Sequence, residues 1–451
     1  MRKLLHCRRG AAAFATVIAL VPLIGVVSLG AEAASWYVTK QHAQNAADAA
    51  AYSGALRLAC TLGGACTDAQ SVDYRGREFA AQNAFCATAD ATAYPGSQCA
   101  ASLPSGISHA VAIAIGDYSG GTFTTPPAGS GNAVRATVGQ QQPAYLAAVL
   151  GLTTVNIPAQ AIALIMNPTN VCGLGLGRYV NSGSPSNSLT IGGTAQFTGN
   201  GCGLMSDNTV KFNSSPSFSG SGWAVNAVNG CQGTSCSKLS IPYNYYSPYA
   251  ENPLSVLDSE SFNTATSSGN LRACPQPYST CTIAPNTPTT AYNRNLTVTT
   301  GNTVIFTTGG TYFFYNANIT INGGAVTGTS INIVLLGNSS LSISGGASVN
   351  LSANISNSTY PDLSGVLIDD QAPHSSSNAV TVNGDSGTVT LGGAMYFPNV
   401  DVTWSGTSAN SATACTEVIA NSLTMTGNAY MSSAACPANV VPHTQVVALV
   451  Q

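Results

Sequence analysis

The uncharged run from Gly10 to Ala31 is the feature that most constrains this chain. It follows two arginines, Arg8 and Arg9, and contains Pro22. About 20 apolar residues span a bilayer as a helix, and membrane helices tolerate an internal proline. Beyond the run the sequence turns polar but keeps small residues at helical spacing. The stretch therefore predicts one long helix whose first half lies in a membrane.

A secretory signal peptide begins in the same way, and Ala31, Ala33 and Ala34 would suit a cleavage site. The run is longer than the apolar core of a usual signal, which has about 7–15 residues. The helical pattern also continues through Trp36 and Tyr37, where interfacial aromatic residues would stand. We therefore predict a retained single-pass anchor. The positive-inside rule places its N-terminus in the cytoplasm and the rest of the chain outside.

Charged residues make up 7% of the chain, against about 25% in an ordinary soluble protein. Hydroxyl and amide side chains take their place, which is typical of an exported β-rich protein. The last basic residue is Arg294, so residues 295–451 contain neither Lys nor Arg. Nucleic acids are bound mainly through their phosphates by basic side chains. The sequence predicts no nucleic-acid partner.

The distribution of the 13 cysteines indicates an oxidising compartment. Cys7 precedes the apolar run, and the other twelve follow it. Pairing neighbours in order closes six short loops, the least costly to close. The predicted pairs are Cys60–Cys66, Cys86–Cys99, Cys172–Cys202, Cys231–Cys236, Cys274–Cys281 and Cys415–Cys436. No Cys-x-x-Cys occurs and histidine is sparse, so no metal and no cofactor are predicted.

The patterns divide the chain into three parts. Residues 1–34 are the basic start and transmembrane helix, and residues 35–168 form a small α+β domain. A second helix is predicted at 72–85, strands at 107–118, 133–140 and 153–166, and a short helix at 143–152. Residues 169–451 form a mainly β domain.

The β domain consists of short strands separated by Gly, Asn and Ser, with β-branched and small polar residues alternating. Close but irregular spacing of such strands favours a right-handed parallel β-helix. A β-sandwich or jelly roll is the alternative. The Pro- and Tyr-rich segment 237–292 is predicted to be an excursion from the coils.

Small residues line one face of the long helix beyond the membrane. Ala47, Ala51 and Ala55 follow one another at four-residue spacing. Such a stripe would admit a second helix at close range or pack on the chain's own domain. The sequence leaves both interpretations open.

Three segments resemble the TadE/TadG-like proteins of the tight-adherence (Flp) pilus system. They are the Arg-Arg-Gly start with its apolar run, QNAADAAAYSGA at 44–55, and residues 133–163. The motif residues are Gln44, Asn45, Ala46, Ala47, Asp48, Ala49, Ala50 and Gly54. The resemblance implies a pseudopilin-like or assembly component in the bacterial inner membrane or at the cell surface, with other pilus subunits as partners.

Two features of that family are not matched. Ala15 stands where prepilins carry a glutamate five residues after the cleaved glycine, here Gly10. No metal loop of a von Willebrand A-type domain is predicted, because Asp258 and Asp401 lack its spacing or its residues.

One stretch of the β domain invites a catalytic interpretation. Asp369, Asp370 and His374 lie close together, and glycosidases need paired carboxylates. Neighbours on a strand point to opposite faces, however, so we expect a solvated turn after residues 365–368. Nor does any Gly-x-Ser-x-Gly occur.

We predict that the protein is not an enzyme and that the β domain displays a surface for adhesion, with glycans as possible ligands. The alternative is a membrane-tethered carbohydrate-active β-helix enzyme.

Overall fold

A computed structural model describes most of the chain. The described residues are 8–62, 68–87, 90, 94–100, 102–167, 169–179, 187–193, 195–260, 262, 270–384, 388–407 and 415–450. They divide into two compact units. The first holds Met1–Leu58, Asp68–Met166 and Val447–Gln451, and the second holds Ala59–Thr67 and Asn167–Val446.

Helix α1, Arg8–Leu62, runs for 55 residues and contains Pro22. Its most apolar window has a mean hydropathy of 2.1, and none of that window is buried within the protein. Side chains such as Val26, 70% exposed, are open to the surroundings. By length and composition this helix is able to cross a membrane, consistent with the predicted anchor.

The second half of α1 packs on a sheet of the first unit. Its buried small residues are Ala43, Ala46, Ala47, Ala50, Ala51 and Ala55. At Gly54 a Cβ atom would lie 2.9 Å from Cγ1 of Val134, so only a residue without one allows this approach. The small-residue stripe therefore serves the chain's own domain.

The sheet of the first unit has five strands in the order β2-β1-β3-β4-β27. They are β1 Ser108–Ser119, β2 Thr122–Thr124, β3 Ala133–Pro143, β4 Thr154–Met166 and β27 Val446–Leu449. The pairs β1–β2, β1–β3 and β3–β4 are antiparallel. Helix α2, Val72–Gln82, is capped by Ser71, whose Oγ accepts a hydrogen bond from the Tyr74 N–H at 3.0 Å.

Strands β1, β3 and β4 and helix α2 match elements expected from the sequence, whereas β2 was not predicted. The short helix expected at 143–152 is a single 3-10 turn, Ala147–Leu150. Strand β27 belongs to this sheet although the sequence analysis assigned its residues to the β domain.

The second unit is built from short strands. They are β5 Val171–Gly175, β6 Asn187–Ile191, β7 Gln196–Thr198, β8 Gly203–Ser206, β9 Thr209–Phe212, β10 Ser217–Ser219, β11 Val225–Ala227, β12 Cys231–Gln232, β13 Tyr243–Asn244, β14 Thr280–Ile283, β15 Leu296–Thr299, β16 Thr303–Phe306, β17 Thr311–Tyr315, β18 Ile319–Asn322, β19 Ala325–Leu336, β20 Leu341–Ser344, β21 Ser348–Ala353, β22 Val366–Asp370, β23 Val380–Asn383, β24 Thr388–Ser405, β25 Thr416–Met425 and β26 Asn428–Tyr430.

Parallel pairing joins these strands in an order that differs from the chain order. The pairings run β14-β16-β19-β21-β24-β25-β5-β8-β11-β13, and each step is parallel. The chain thus enters this series of strands in its middle, at β5, and runs to one end of it at β13. It then returns at the opposite end, at β14, and runs back to β25, which pairs with β5. The predicted excursion at 237–292 contains both β13 and β14, and residues 245–279 connect them.

Several strands of this unit are buried on both faces. On β24, Met395 and Phe397 belong to one apolar cluster, whereas Ala394 and Tyr396 belong to another. Leu254 and Leu257, in the 3-10 helix Pro253–Ser259, join the second cluster. One face therefore forms an inner core, and the other is covered by connecting segments.

Where both partners lie among the described residues, the structure joins five cysteine pairs, namely Cys86–Cys99, Cys172–Cys202, Cys231–Cys236, Cys274–Cys281 and Cys415–Cys436. Each has the partner expected from the sequence. The sixth predicted pair involves Cys66, which lies outside the described residues.

Candidate functional sites

The first candidate site is the anchor end of α1. Arg8, Arg9 and Gly10 form the first turn of the helix. Trp36 is half-buried with its Nε1 enclosed, whereas Tyr37 is 65% exposed. The two aromatic side chains predicted to mark the membrane boundary thus have different surroundings, and only Tyr37 is largely open.

The family motif on α1 forms the contact between helix and sheet. Gln44 Nε2 donates to Asp48 Oδ1 at 2.8 Å and to the Gln160 carbonyl oxygen at 2.9 Å. Ala46, Ala47 and Ala50 are fully buried, whereas Asn45 is exposed and Ala49 is half-buried. The motif residues therefore join the helix to β4 and leave Asn45 on the open face.

A second candidate site is a cleft of about 250 Å³ in the β unit. Its lining includes Arg178, Asp258, Asp369 and Tyr396. Arg178 Nη2 lies 2.5 Å from Asp258 Oδ2, and the Tyr396 hydroxyl donates to Asp258 Oδ1 at 2.8 Å. Asp369 pairs across the sheet with Val334 on β19 and with Tyr396 on β24. The order of strand pairing brings these residues together from distant parts of the chain.

The two carboxyl groups of this cleft differ in environment. Burial and the charge of the neighbouring Asp370 raise the pKa of Asp369 well above its usual value. Burial also raises the pKa of Tyr396. Asp258, by contrast, is bonded to a guanidinium and a phenol. Acid–base enzymes likewise place two carboxyl groups in contrasting environments.

The contacts of the two carboxyl groups are made mainly with other groups of the same unit. Both oxygens of Asp258 are already bonded, as described above. Asp369 is 1% exposed, its Oδ2 accepts from Gln371 Nε2 at 3.0 Å, and its Oδ1 is enclosed without a partner. Asp369 is therefore enclosed, whereas the Asp258 side chain is 30% exposed.

The expectation that Asp369 and Asp370 lie in a solvated turn was wrong. Strand β22 continues through both residues, and both are buried. The reason is the covering segment, because Gln371 Nε2 also donates to the Leu257 carbonyl oxygen at 3.3 Å. His374 stacks on Tyr179, with ring centroids 4.7 Å apart.

Other buried carboxyl groups occur in the same unit. Burial raises the pKa of Asp207 to about 8 and that of Asp370 to about 7, and it raises the pKa of Glu417 well above its usual value. Both Glu417 oxygens lack a hydrogen-bond partner. Glu417 lies near Cys415 and Cys436 at a spacing that would suit a metal. The two sulfur atoms are bonded to each other, so they offer no thiolate to a metal.

A third candidate site is an open polar groove of about 510 Å³, also in the β unit. Arg272 and Arg294 line it together with Asn and Thr side chains such as Asn295 and Thr297. Arg294 Nε donates to Asn270 Oδ1 at 2.7 Å. The groove combines positive charge with amide and hydroxyl groups, a set that suits anionic, hydroxyl-rich ligands.

Sequence reasoning missed the residues that come together through strand pairing. It did not connect Arg178, from the segment after β5, with Tyr396 on β24, to whose hydroxyl oxygen Arg178 Nη2 donates at 3.3 Å. Nothing in the sequence indicated that β25 would pair with β5, which lies much earlier in the chain. Arg272 and Arg294, 22 positions apart (294 − 272), were visible as the last basic residues before the cation-free stretch.

Comparison with known proteins gives one match. Residues 10–57 match the family model described as putative Flp pilus-assembly TadE/G-like. No curated protein and no solved structure matches the chain. The match confirms the resemblance seen in the sequence for this segment, which spans the apolar run and the motif packed on the sheet.

The buried carboxyl groups make the stability of the β unit depend on pH. Because the folded-state pKa of Asp370 is about 7 and its unfolded value is about 3.9, the folded state retains a proton that the unfolded state loses. The contribution of Asp370 to the free energy of unfolding is therefore greatest below pH ~4. It falls by about 1.4 kcal/mol per pH unit between pH ~4 and ~7. Asp370→Asn should flatten this fall and regain on the order of a few kcal/mol at pH ~8 relative to pH ~5.

Thermal or denaturant unfolding of the wild type and Asp370→Asn at the two pH values measures the difference, and any pH-independent cost of the amide cancels. The asparagine keeps the oxygen that accepts from the Ala372 N–H at 2.9 Å. Glu251→Gln, the same chemical change at a half-buried position, is the control. Equal pH dependence in Asp370→Asn and the wild type would contradict the assignment.

Proposed function

We propose that the protein is a membrane-anchored structural or assembly component of a tight-adherence (Flp) type pilus, or a minor pilin-like subunit of it. The observation that carries this proposal is the family match over residues 10–57. That segment contains the apolar run, and its motif residues hold α1 on a sheet of the same chain. A pilus-related role agrees with a helix that leaves the membrane directly into a folded unit.

The proposed location is the bacterial inner membrane, with a single pass, the N-terminus in the cytoplasm and both units in the periplasm or at the cell surface. Arg8 and Arg9 before the apolar run support this orientation. The joined cysteine pairs suit an oxidising compartment on the far side of the membrane.

For the second unit we propose a right-handed parallel β-helix. Paired residues in successive strands are separated by similar distances along the chain: Leu204 and Val225 by 21 positions (225 − 204), and Ile319 and Leu341 by 22 (341 − 319). Parallel pairing at a nearly constant separation is what stacked coils produce. The inner apolar cluster would be the core of that stack.

We propose that this unit binds rather than catalyses. In the cleft, the ion pair between Arg178 and Asp258 satisfies the accessible carboxylate, and Asp369 is enclosed. Adhesion to surface glycans would use the open groove at Arg272 and Arg294, because two guanidinium groups among amides and hydroxyls suit uronate or sulfated sugars. Exposed aromatic rings such as Tyr246, 83% exposed, add surfaces on which sugars stack.

The pilus-related role predicts specific neighbours in the membrane. After crosslinking in intact cells, the tagged full-length protein is solubilised in detergent and its partners are identified by mass spectrometry. We expect pilus subunits or pilus-assembly proteins to be enriched over an unrelated single-pass membrane protein with the same tag. Equal recovery of those proteins in both samples would contradict the role.

The adhesion proposal predicts binding of anionic glycans that depends on the two arginines. Arg272→Ala with Arg294→Ala should weaken binding of a uronate-containing or sulfated glycan about tenfold or more, since each removes a charge-assisted contact. Lys238→Ala, which removes an exposed cation of the same unit, is the matched control and should leave binding unchanged. Glycan arrays and calorimetry provide the measurement. Equal loss in both variants would point to nonspecific attraction, and no binding by the wild type would exclude the proposed ligand class.

A further inference from the structure

The connection between β3 and β4 exposes an unusual number of apolar side chains. Tyr145 is 76% exposed, Leu146 42%, Val149 87% and Leu152 44%. The sequence from residue 136 to residue 177 contains no charged residue, so the connection itself carries no ionic side chain. Contiguous exposed apolar groups on a folded domain mark a place where something else is bound.

A carboxylate of α1 fastens this connection at one defined position. Glu32 accepts hydrogen bonds from the backbone N–H groups of Tyr145 at 2.6 Å, Leu146 at 3.1 Å and Ala147 at 2.9 Å. Glu32 is the first charged residue after the apolar run, which ends at Ala31. With a rise of about 1.5 Å per residue, the run is about as long as the hydrocarbon core of a bilayer is thick, so Glu32 stands at its boundary.

The remaining contacts of the helix show that this connection is the part of the sheet nearest the apolar run. Along α1, Gly54 lies against Val134, Gln44 bonds to Gln160, and Lys40 bonds to the carbonyl oxygen of Pro158. Each step toward the N-terminus of the helix meets a part of β3 or β4 closer to their connection. Glu32, the closest of these four residues to the N-terminus of the helix, bonds to the connection itself. Gly54 is about 33 Å further along the helix than Glu32, so the other end of the sheet is far from the boundary.

We propose that residues 145–152 form a second membrane contact, in which Tyr145, Leu146, Val149 and Leu152 enter the outer interface of the same bilayer that α1 crosses. This rests on the proposed membrane anchorage. The bilayer is the partner because Glu32 fixes the apolar loop at the boundary of the run. Tyrosine and aliphatic side chains are the groups that partition there. The loop and the helix would together fix the tilt and rotation of the first unit on the membrane.

Lipid-quenching fluorescence tests the proposal on the full-length protein. Single tryptophans are introduced at three exposed positions, with the wild type measured in parallel to subtract Trp36, Trp223 and Trp404. Val149→Trp tests the loop, Val26→Trp reports the apolar run, and Thr122→Trp lies at the opposite end of the same sheet. The variants are placed in phosphatidylcholine nanodiscs with plain acyl chains or with chains brominated near the headgroup, which quench tryptophan on contact.

We expect Val149→Trp and Val26→Trp to lose about half of the added fluorescence and Thr122→Trp almost none. Quenching of Val26→Trp without Val149→Trp would overturn the loop contact and leave the anchor intact. Absence of quenching in both would overturn the anchor as well. Similar quenching at residues 122 and 149 would show nonspecific contact and would also overturn the proposal.

A second measurement uses the native side chains, because an added tryptophan itself favours the interface. Tyr145 and Tyr246 are 76% and 83% exposed, so hydroxyl radicals in water should oxidise them almost equally in the absence of lipid. In nanodiscs we expect Tyr145 to be oxidised about fivefold less than Tyr246, since the interface excludes bulk water. Equal oxidation of the two tyrosines in nanodiscs would contradict a membrane contact of the loop.

Discussion

The packing of an alanine-lined helix on an antiparallel sheet is the contact on which the first unit depends. Because Ala47, Ala50 and Gly54 carry almost no side chain, α1 lies close to β3 and β4, and Gln44 reaches a backbone oxygen of β4. The same helix continues without a break into the uncharged run. The folded unit is therefore attached to its anchor by continuous helix rather than by a flexible linker. The sheet therefore keeps a fixed orientation relative to the part of the helix on which it packs.

The second unit depends on a different constraint, the parallel pairing of short strands. Such strands bury both faces, and the structure needs covering segments on the outer one. Asn252, which precedes the 3-10 helix of one covering segment, is buried, and its Nδ2 donates to the Tyr396 hydroxyl oxygen at 3.3 Å. The buried carboxyl groups follow from the same cover. Burial raises their pKa values above the usual range, and this links the stability of the unit to pH.

Much of the first unit could be predicted from the sequence because its signals are local. The apolar run, the alternation in β1 and β3, and the small-residue spacing of α1 each lie within a few turns or one strand. The anchor, helices α1 and α2 and strands β1, β3 and β4 could therefore be predicted. Strand β2 was not predicted. Strand β27 was not, because four residues near the C-terminus carry no sign that they pair with β4. The 3-10 turn at Ala147–Leu150 was expected as a helix, since apolar residues that face outward resemble a buried stripe.

The second unit shows where sequence reasoning fails. The many short strands were evident, but the order of their pairing was not, because β5 pairs with β25, which follows it 20 strands later in the chain (25 − 5). Arg178 therefore could not be connected with Tyr396 or Asp258 in advance. Burial of Asp369 and Asp370 was missed for a related reason: the segment that covers them lies more than a hundred residues earlier in the chain, as the contact of Leu257 with Gln371 shows.

The central claim is that the apolar run remains in the protein as a membrane anchor for a pilus-related assembly. Carbonate extraction of cell membranes, followed by N-terminal sequencing of the full-length protein, tests it most directly. The account predicts a carbonate-resistant protein whose N-terminus lies at or before Gly10. A soluble protein that begins near Ala34 would show that the run is a cleaved signal and would contradict the claim.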